Sequence, residues 1–150
     1  SSKFFVFKRK LILTLLKYDI SENVSFNSGI SFYGNSKVII GKDTWIGVRC
    51  MFYSSAPSKI IIGSNCDVAP KVSFINGSHL KGDSSRRAGK DVSYDIKIGK
   101  GTWIGASATV LGGASIGKGS IIAAGSVVVK GDYPDNVLLG GVPAKVIKKI

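Results

Sequence analysis

Aliphatic residues recur at every sixth position through the C-terminal half of the chain. The series is Ile98, Ile104, Val110, Ile116, Ile122 and Val128. Small residues stand four places after its members, at Thr102, Ala108, Ala114, Ser120 and Ser126. The same phase occurs earlier, in Ile40, Ile46 and Phe52 and again in Ile62, Val68 and Phe74. Because a period of six fits neither a helix nor a plain strand, the pattern predicts a short strand and a turn, repeated.

Three such units make a triangular coil, in which the aliphatic side chain points inward and the small residue occupies the corner. Gly99, Gly105 and Gly117 directly follow aliphatic positions, where they are expected to supply backbone conformations closed to residues with a Cβ. Stacked coils should pair as parallel strands, with Ile98 lying over Ile116. The pattern therefore predicts an all-β solenoid over residues 20–150, each coil stabilised by its neighbours.

Two breaks interrupt the period. Phe52 and Ile62 are ten residues apart, which predicts a small turn over residues 54–58 around Pro57. From about residue 80 to 95 the aliphatic positions give way to Lys, Gly, Asp, Ser and Arg. We expect an excursion loop here. Long loops on regular scaffolds are commonly functional, although a tolerated surface insertion is the alternative.

Residues 1–19 precede the repeat. Two apolar runs, 4–7 and 11–16, flank Lys8, Arg9 and Lys10, and neither approaches the roughly 20 residues of a membrane span. A signal peptide would place its basic residues before its apolar run, whereas here Lys8, Arg9 and Lys10 follow the first apolar run. We expect a short amphipathic helical cap and a cytoplasmic location. The basic helix would also suit peripheral contact with the inner face of an anionic membrane.

The charge and the composition exclude several classes. The 150 residues include 21 Lys or Arg and 9 Asp or Glu, for a net charge of +12. The lysines are scattered singly and no nucleic-acid-binding motif is present, so we expect anionic small ligands as partners and no nucleic acid. A single histidine predicts no metal site. Cys50 and Cys66 occupy small inward positions and are expected in the core.

The one histidine, His79, immediately precedes the excursion, in Asn76-Gly-Ser-His79. Imidazole is the side chain best suited to accept a proton near neutral pH. Taken alone, the residues leave open an exposed polar histidine without a catalytic role.

Three C-terminal stretches resemble the hexapeptide-repeat acyltransferases. They are residues 98–105 (IGKGTWIG), 123–130 (AAGSVVVK) and 141–145 (GVPAK). Together they are similar to the branch that contains maltose, galactoside and surface-polysaccharide O-acetyltransferases. The resemblance implies a left-handed parallel β-helix and direct acetyl transfer from acetyl-CoA to a sugar hydroxyl, with His79 as the general base.

The same resemblance implies residues for each ligand. Residues expected at coenzyme A are Gly105, Ala106, Ala123, Ala124 and Ser126 in a narrow groove, with Lys130, Lys145 and Lys148 at its phosphates. Residues expected at the acceptor are Arg49, Asn76, Asp83, Arg86 and Trp103, with Arg87 and Tyr94 shaping its pocket. Arg49 stands near where the family often has an asparagine. The resemblance also implies a homotrimer with active sites between subunits. Trp45 and Trp103 stand at the same phase of the repeat, in matching Thr-Trp-Ile-Gly segments, which predicts that both side chains lie on outer faces.

Two other functions remain open at this stage. One is an N-acetyltransferase acting on an amino sugar or a drug. The other is a non-catalytic β-helix that binds a partner or serves a structural role. A γ-class carbonic anhydrase shares the implied fold but requires three histidines, so it is excluded.

Overall fold

The computed structural model describes residues 18–150, which form twenty strands and no helix. Residues 1–17, which carry the predicted helical cap, lie outside the described residues. No helix in the described part is long and apolar enough to cross a membrane.

The strands are arranged in about six successive coils. The first three coils contain β1 (Asp19–Ile20), β2 (Ser25–Phe26) and β3 (Ser31–Gly34); β4 (Val38–Ile40), β5 (Trp45–Ile46) and β6 (Met51–Ser54); β7 (Ile60–Ile62), β8 (Asp67–Val68) and β9 (Ser73–Ile75). A hairpin of β10 (Gly77–Lys81) and β11 (Ala88–Ser93) follows. The later coils contain β12 (Ile96–Ile98), β13 (Trp103–Ile104) and β14 (Thr109–Leu111); β15 (Ala114–Ile116), β16 (Ile121–Ile122) and β17 (Val127–Val128); β18 (Gly131–Tyr133) and β19 (Val137–Gly141). The last strand, β20 (Ala144–Lys149), turns back antiparallel to β19.

Three parallel sheets form the faces of a prism. Sheet A is β1-β4-β7-β12-β15-β18, sheet B is β2-β5-β8-β13-β16-β19 with β20 at its end, and sheet C is β3-β6-β9-β14-β17. The chain passes from A to B to C in each coil, so it turns at an A/B, a B/C and a C/A corner. Ile98 pairs with Ile116, as the six-residue period predicts.

The core is the interior of this prism, and it contains all of the periodic aliphatic positions. Ile104, Val110, Ile122 and Val128 have no exposed surface. Near the first coils the ladder becomes aromatic, with Phe52 stacked between Phe32 and Phe74 at centroid distances of 4.9 and 5.0 Å. Cys50 and Cys66 are fully buried among these residues, and burial raises the pKa of each thiol.

The glycines after the aliphatic positions have a different role from the expected one. Gly99, Gly105 and Gly117 are not in the left-handed region. A Cβ on Gly105 would lie 2.5 Å from the backbone nitrogen of Ala124 in the next coil, so these positions are small because adjacent coils approach closely. Left-handed backbone occurs two residues later, at Gly101 and Ser107 with φ of 72° and 59°.

The excursion is an ordered antiparallel hairpin rather than an irregular loop, and it begins at Gly77 rather than Leu80. Gly77 pairs with Ser93, and the Tyr94 N–H donates to the Asn76 carbonyl at 3.0 Å. Alternating backbone pairing across residues 77–93 holds the two arms together. The hairpin leaves sheet C and re-enters sheet A at one C/A corner, so the coils on either side keep their register. The smaller predicted break at Pro57 is a turn at the same corner, one coil earlier.

Candidate active site

His79 lies on the first arm of the hairpin, directly across from Asp91 on the second. Its Nδ1 is 2.9 Å from an Asp91 carboxylate oxygen and 3.2 Å from the Gly89 carbonyl oxygen. Both neighbours can only accept a hydrogen bond, so Nδ1 carries the proton. In the neutral ring, Nε2 then carries the lone pair that a general base requires.

The imidazole is accessible to a substrate. The His79 side chain is 51% exposed and that of Asp91 is 92% exposed. The exposed imidazole is therefore within reach of a molecule bound at this surface. Among the described residues, no group of three or more His, Cys, Asp or Glu side chains could hold a metal ion.

A cleft of about 550 Å³ opens beside this pair at the C/A corner. The hairpin contributes His79, Asp91 and Ser93 to its wall, while the corners of the first two coils contribute Asn35 and Ser55. The ring of Tyr53, on the outer face of β6, borders the same space. Hydroxyl, amide and aromatic groups thus lie around the histidine, and such groups suit a polar ligand.

Asn76 was expected at the acceptor, and the structure gives it another place. Its side chain is fully buried beneath the cleft. The carboxamide oxygen accepts the Ser55 N–H at 2.6 Å, and the amide nitrogen donates to the Ser55 carbonyl at 3.3 Å. Asn76 therefore holds the corner that carries Ser55 and presents no atom to the cleft.

The other predicted excursion residues lie at the tip or the base of the hairpin. Asp83 accepts hydrogen bonds from the Ser85 hydroxyl and from the Ser85 and Arg86 N–H groups, and these bonds lower the pKa of its carboxyl. It closes the tip rather than facing the cleft. Arg86 is exposed there, and Arg87 donates to the Gly82 carbonyl.

The small residues expected at coenzyme A are brought together on a different edge, the B/C corner. Gly105 and Ala106 follow β13, while Ala123 and Ala124 follow β16 in the next coil. The Gly105 N–H is already bonded to the Ile122 carbonyl at 2.8 Å, so it is not free to donate to a ligand. Within residues 18–150, the N–H groups of Ala106 and Ala124 have no such partner.

Ser126 and the three lysines are divided among several places. Ser126 is buried, and its hydroxyl accepts the Gly141 N–H at 3.3 Å, which makes it a corner residue. Lys145 pairs with Gly140 beside the B/C corner, whereas Lys148 pairs with Leu138 further along sheet B. Lys130 lies at the C/A corner, with its ammonium group 4.5 Å from the Tyr94 ring centre.

Arg49 and Trp103 also stand away from His79 within one chain. Arg49 is at the B/C corner with a φ of 57°, and it packs against Gly29 of the preceding coil. Trp103 is on the outer face of sheet B and is 55% exposed, as expected for an outer-face residue; Trp45 lies two strands away. One chain thus places the histidine cleft and the small-residue groove on two separate corners.

Sequence reasoning missed Asp91, Ser55 and Asn35. Asp91 carried one available signal, since it and His79 are each six residues from Ser85 in the hairpin tip. Such symmetry predicts cross-strand neighbours only once a hairpin centred on that tip is assumed. Asn35 and Ser55 follow strands in two earlier coils, and only the stacking of the corners brings them to the histidine.

Two family models match the chain. Residues 95–130 match the model described as bacterial transferase hexapeptide (six repeats), and residues 37–69 match the hexapeptide repeat of succinyl-transferase. Both segments belong to the stacked β-helical coils, and they lie on either side of the hairpin in the sequence.

Similar proteins extend the likeness to nearly the whole chain. Galactoside O-acetyltransferase of Escherichia coli is 31% identical over 143 residues, covering 95% of this chain and 69% of that protein. The crystal structure of a maltose O-acetyltransferase from Clostridium difficile is 33% identical with a TM-score of 0.74, covering 95% of this chain and 75% of that one. A galactoside acetyltransferase in complex with coenzyme A is 28% identical with a TM-score of 0.74, covering 91% and 68%. Curated relatives are longer, and the chain spans 57% to 73% of their length.

Proposed function

The chain belongs to the hexapeptide-repeat acetyltransferases with a left-handed parallel β-helix, and from that premise we propose that it moves an acetyl group from acetyl-CoA to a sugar hydroxyl, with His79 as the general base. The observation that carries the proposal is the His79–Asp91 pair at the edge of a polar cleft. A carboxylate that fixes the imidazole tautomer leaves Nε2 ready to accept the hydroxyl proton.

The reaction needs no covalent enzyme intermediate. Nε2 of His79 takes the proton of the acceptor hydroxyl as its oxygen attacks the thioester carbonyl carbon. The carbon–sulfur bond then breaks, and the imidazolium returns the proton to the departing sulfur. The Asp91 carboxylate stabilises the positive charge held by the ring between these two steps.

Coenzyme A fits the groove at the B/C corner. Its pantetheine arm is slim and contains two amides, and the free N–H groups of Ala106 and Ala124 can donate to their carbonyl oxygens. Lys145 stands beside that groove with an exposed side chain suited to a phosphate. The complex of a galactoside acetyltransferase with coenzyme A supports this choice of co-substrate.

A homotrimer joins the two halves of the site. Because one chain separates the His79 corner from the Ala106 corner by the width of sheet C, we infer that the thioester reaches the histidine from a neighbouring copy. We therefore place each active site between the C/A corner of one subunit and the B/C corner of the next. Closed threefold symmetry repeats that contact three times.

The acceptor is proposed to be a precursor of a surface polysaccharide, modified at the cytoplasmic face where acetyl-CoA is available. Two sugar O-acetyltransferases among the similar proteins support a sugar hydroxyl over an amine. N-acetylation of an amino sugar or a drug is the competing activity, and a non-catalytic β-helix with a binding or structural role is the second alternative.

The decisive experiment measures release of free thiol from acetyl-CoA with a panel of sugars, amino sugars and nucleotide-linked sugars. We expect turnover with at least one hydroxyl acceptor, and its loss in His79→Ala. Ser84→Ala, at an exposed position of the hairpin tip outside the cleft lining, is the control and should keep full activity. Turnover only with amines would overturn the O-transfer assignment, and undiminished turnover in His79→Ala would overturn the role of the histidine.

A further inference from the structure

A second, basic pocket adjoins the histidine cleft. It has a volume of about 470 Å³ and is lined by Tyr18 and by two lysines, Lys37 and Lys59. The pocket and the cleft share three lining residues, Gly34, Asn35 and Pro57. The two spaces are therefore lobes of one groove that follows the C/A corner from the first coil to the hairpin.

The two lysines occupy equivalent places in consecutive coils. Lys37 directly precedes Val38 of β4, Lys59 directly precedes Ile60 of β7, and Val38 pairs with Ile60. The Ile60 N–H donates to the Lys37 carbonyl at 3.1 Å, which fixes this register. Adjacent strands lie about 4.8 Å apart, so the two side chains leave the prism side by side.

Like charges in neighbouring register positions repel each other unless a counter-charge lies between them. Ion pairs within residues 18–150 join His79 to Asp91 and Lys118 to Asp135, and neither involves these lysines. Asp95, next in register, accepts the backbone N–H of Lys59 on its carboxylate at 2.9 Å, so one negative charge lies near the two lysines and leaves the group net positive. Residues 1–17 contain no aspartate or glutamate, so they add no further negative charge.

We propose that this pocket binds an anionic group on the acceptor, a carboxylate or a phosphate, while the hydroxyl to be acetylated lies at His79. The proposal rests on the function proposed above and narrows its substrate to negatively charged saccharides. The two ammonium groups can form charge-assisted hydrogen bonds with a carboxylate or a phosphate. The neighbouring Asn35 and Ser36 add polar groups to the pocket.

The spacing of the coils limits how far apart these groups lie on the acceptor. Lys37 is at the corner of the first coil, Lys59 at that of the second, and the hairpin grows from that of the third. Two steps of about 4.8 Å separate the first and third corners, or roughly 10 Å at the level of the backbone. The anionic group is therefore expected on the same sugar as the reacting hydroxyl or on its immediate neighbour.

The test compares matched acceptors and matched variants. Galactose, galacturonate and galactose 6-phosphate are assayed as acceptors with the wild type and with Lys37→Met, Lys59→Met and the double variant. Lys42→Met, an exposed lysine in the A/B turn, is the control. We expect the charged sugars to have the lower KM, and the double variant to raise their KM at least about tenfold with kcat nearly unchanged. A preference for only one of the two anions identifies the group.

Binding is measured separately from turnover, by titrating the same sugars into His79→Ala. If anion binding is lost when both lysines are replaced, the pocket is supported. If acetyl transfer is absent as well, only the proposed function fails. Equal KM values for galactose and both anions, unaffected by the lysine variants, overturn the inference and leave acetyl transfer intact.

Discussion

His79 and Asp91 face each other across the hairpin, with the imidazole Nδ1 2.9 Å from the carboxylate. The pair belongs to two arms of a single excursion and owes its geometry to backbone pairing rather than to burial. Because the histidine side chain is partly exposed and does not belong to the hydrophobic core, it can be replaced without disturbing the packing of the prism.

Replacing the histidine should separate activity from stability. His79→Ala removes the proposed general base, and we expect kcat to fall at least about a hundredfold. The midpoint of thermal unfolding should stay within the experimental error of the wild type, since the side chain is exposed. Thiol-release kinetics and circular dichroism melting measure the two quantities, and a loss of both would assign His79 a structural role.

Asp91→Asn tests the orienting carboxylate. The change keeps the shape of the side chain but removes the charge that stabilises the imidazolium, so we expect kcat to fall about tenfold, less than for a buried triad because the pair is exposed to solvent. KM for acetyl-CoA should change less than kcat, since Asp91 contacts His79 and is expected to act through the imidazole rather than on the coenzyme. Asp132→Asn, an exposed aspartate on β18, is the control. An unchanged kcat would show that the pair does not assist the reaction.

Asn76→Ala should destabilise the fold. It leaves the partly buried N–H and carbonyl of Ser55 without their partner, at a cost of about 1–3 kcal/mol in the free energy of unfolding. Asn35→Ala is a suitable comparison, because Asn35 is exposed and accepts one bond from the Ala56 N–H. Urea denaturation measures both variants, and equal losses would contradict the buried role of Asn76.

Two glycine variants distinguish crowding from backbone strain. A Cβ at Gly105 meets the backbone of Ala124, and we expect Gly105→Ala to cost about 3 kcal/mol. A Cβ at Gly125 meets nothing within 4 Å, so Gly125→Ala should cost only the left-handed strain of its φ of 70°, about 1–2 kcal/mol. Urea unfolding at one protein concentration compares them, and a reversed order would show that the coils can separate locally.

The two buried thiols predict an alkaline loss of stability. Burial raises the pKa of Cys50 and Cys66, so the fold favours their neutral form. This contribution is complete below the ordinary cysteine pKa of about 8.5 and is lost as the pH rises through the folded-state pKa. Melting temperatures should therefore fall above that pH, and less steeply in a Cys50→Ala, Cys66→Ala double variant. Burial also raises the pKa values of Tyr18 and Tyr133. Measurements should stop below about pH 10, because above it these tyrosines ionise in the unfolded chain and add to the loss of stability.

The sequence predicts the prism well because each buried position repeats at a fixed interval. Ile98 and Ile116 could be paired without a structure, since a regular coil permits one register. The hairpin has no such constraint. A shift in pairing between His79 and Lys81 sets which residue faces the histidine, and periodicity carries no information about it. Lys130 shows the same limit, because a lysine at a corner can face any of several neighbours and here lies over Tyr94.

The hairpin leaves and rejoins the coils at a single point, where the Tyr94 N–H donates to the Asn76 carbonyl. Ile62 and Ile98, in the coils on either side, remain paired across the insertion. Changes of length or sequence in the hairpin beyond the His79–Asp91 pair therefore need no compensating change in the coils. Evolution can vary the tip while the paired side chains and the framework stay the same, and a laboratory exchange of residues 82–87 could do so as well.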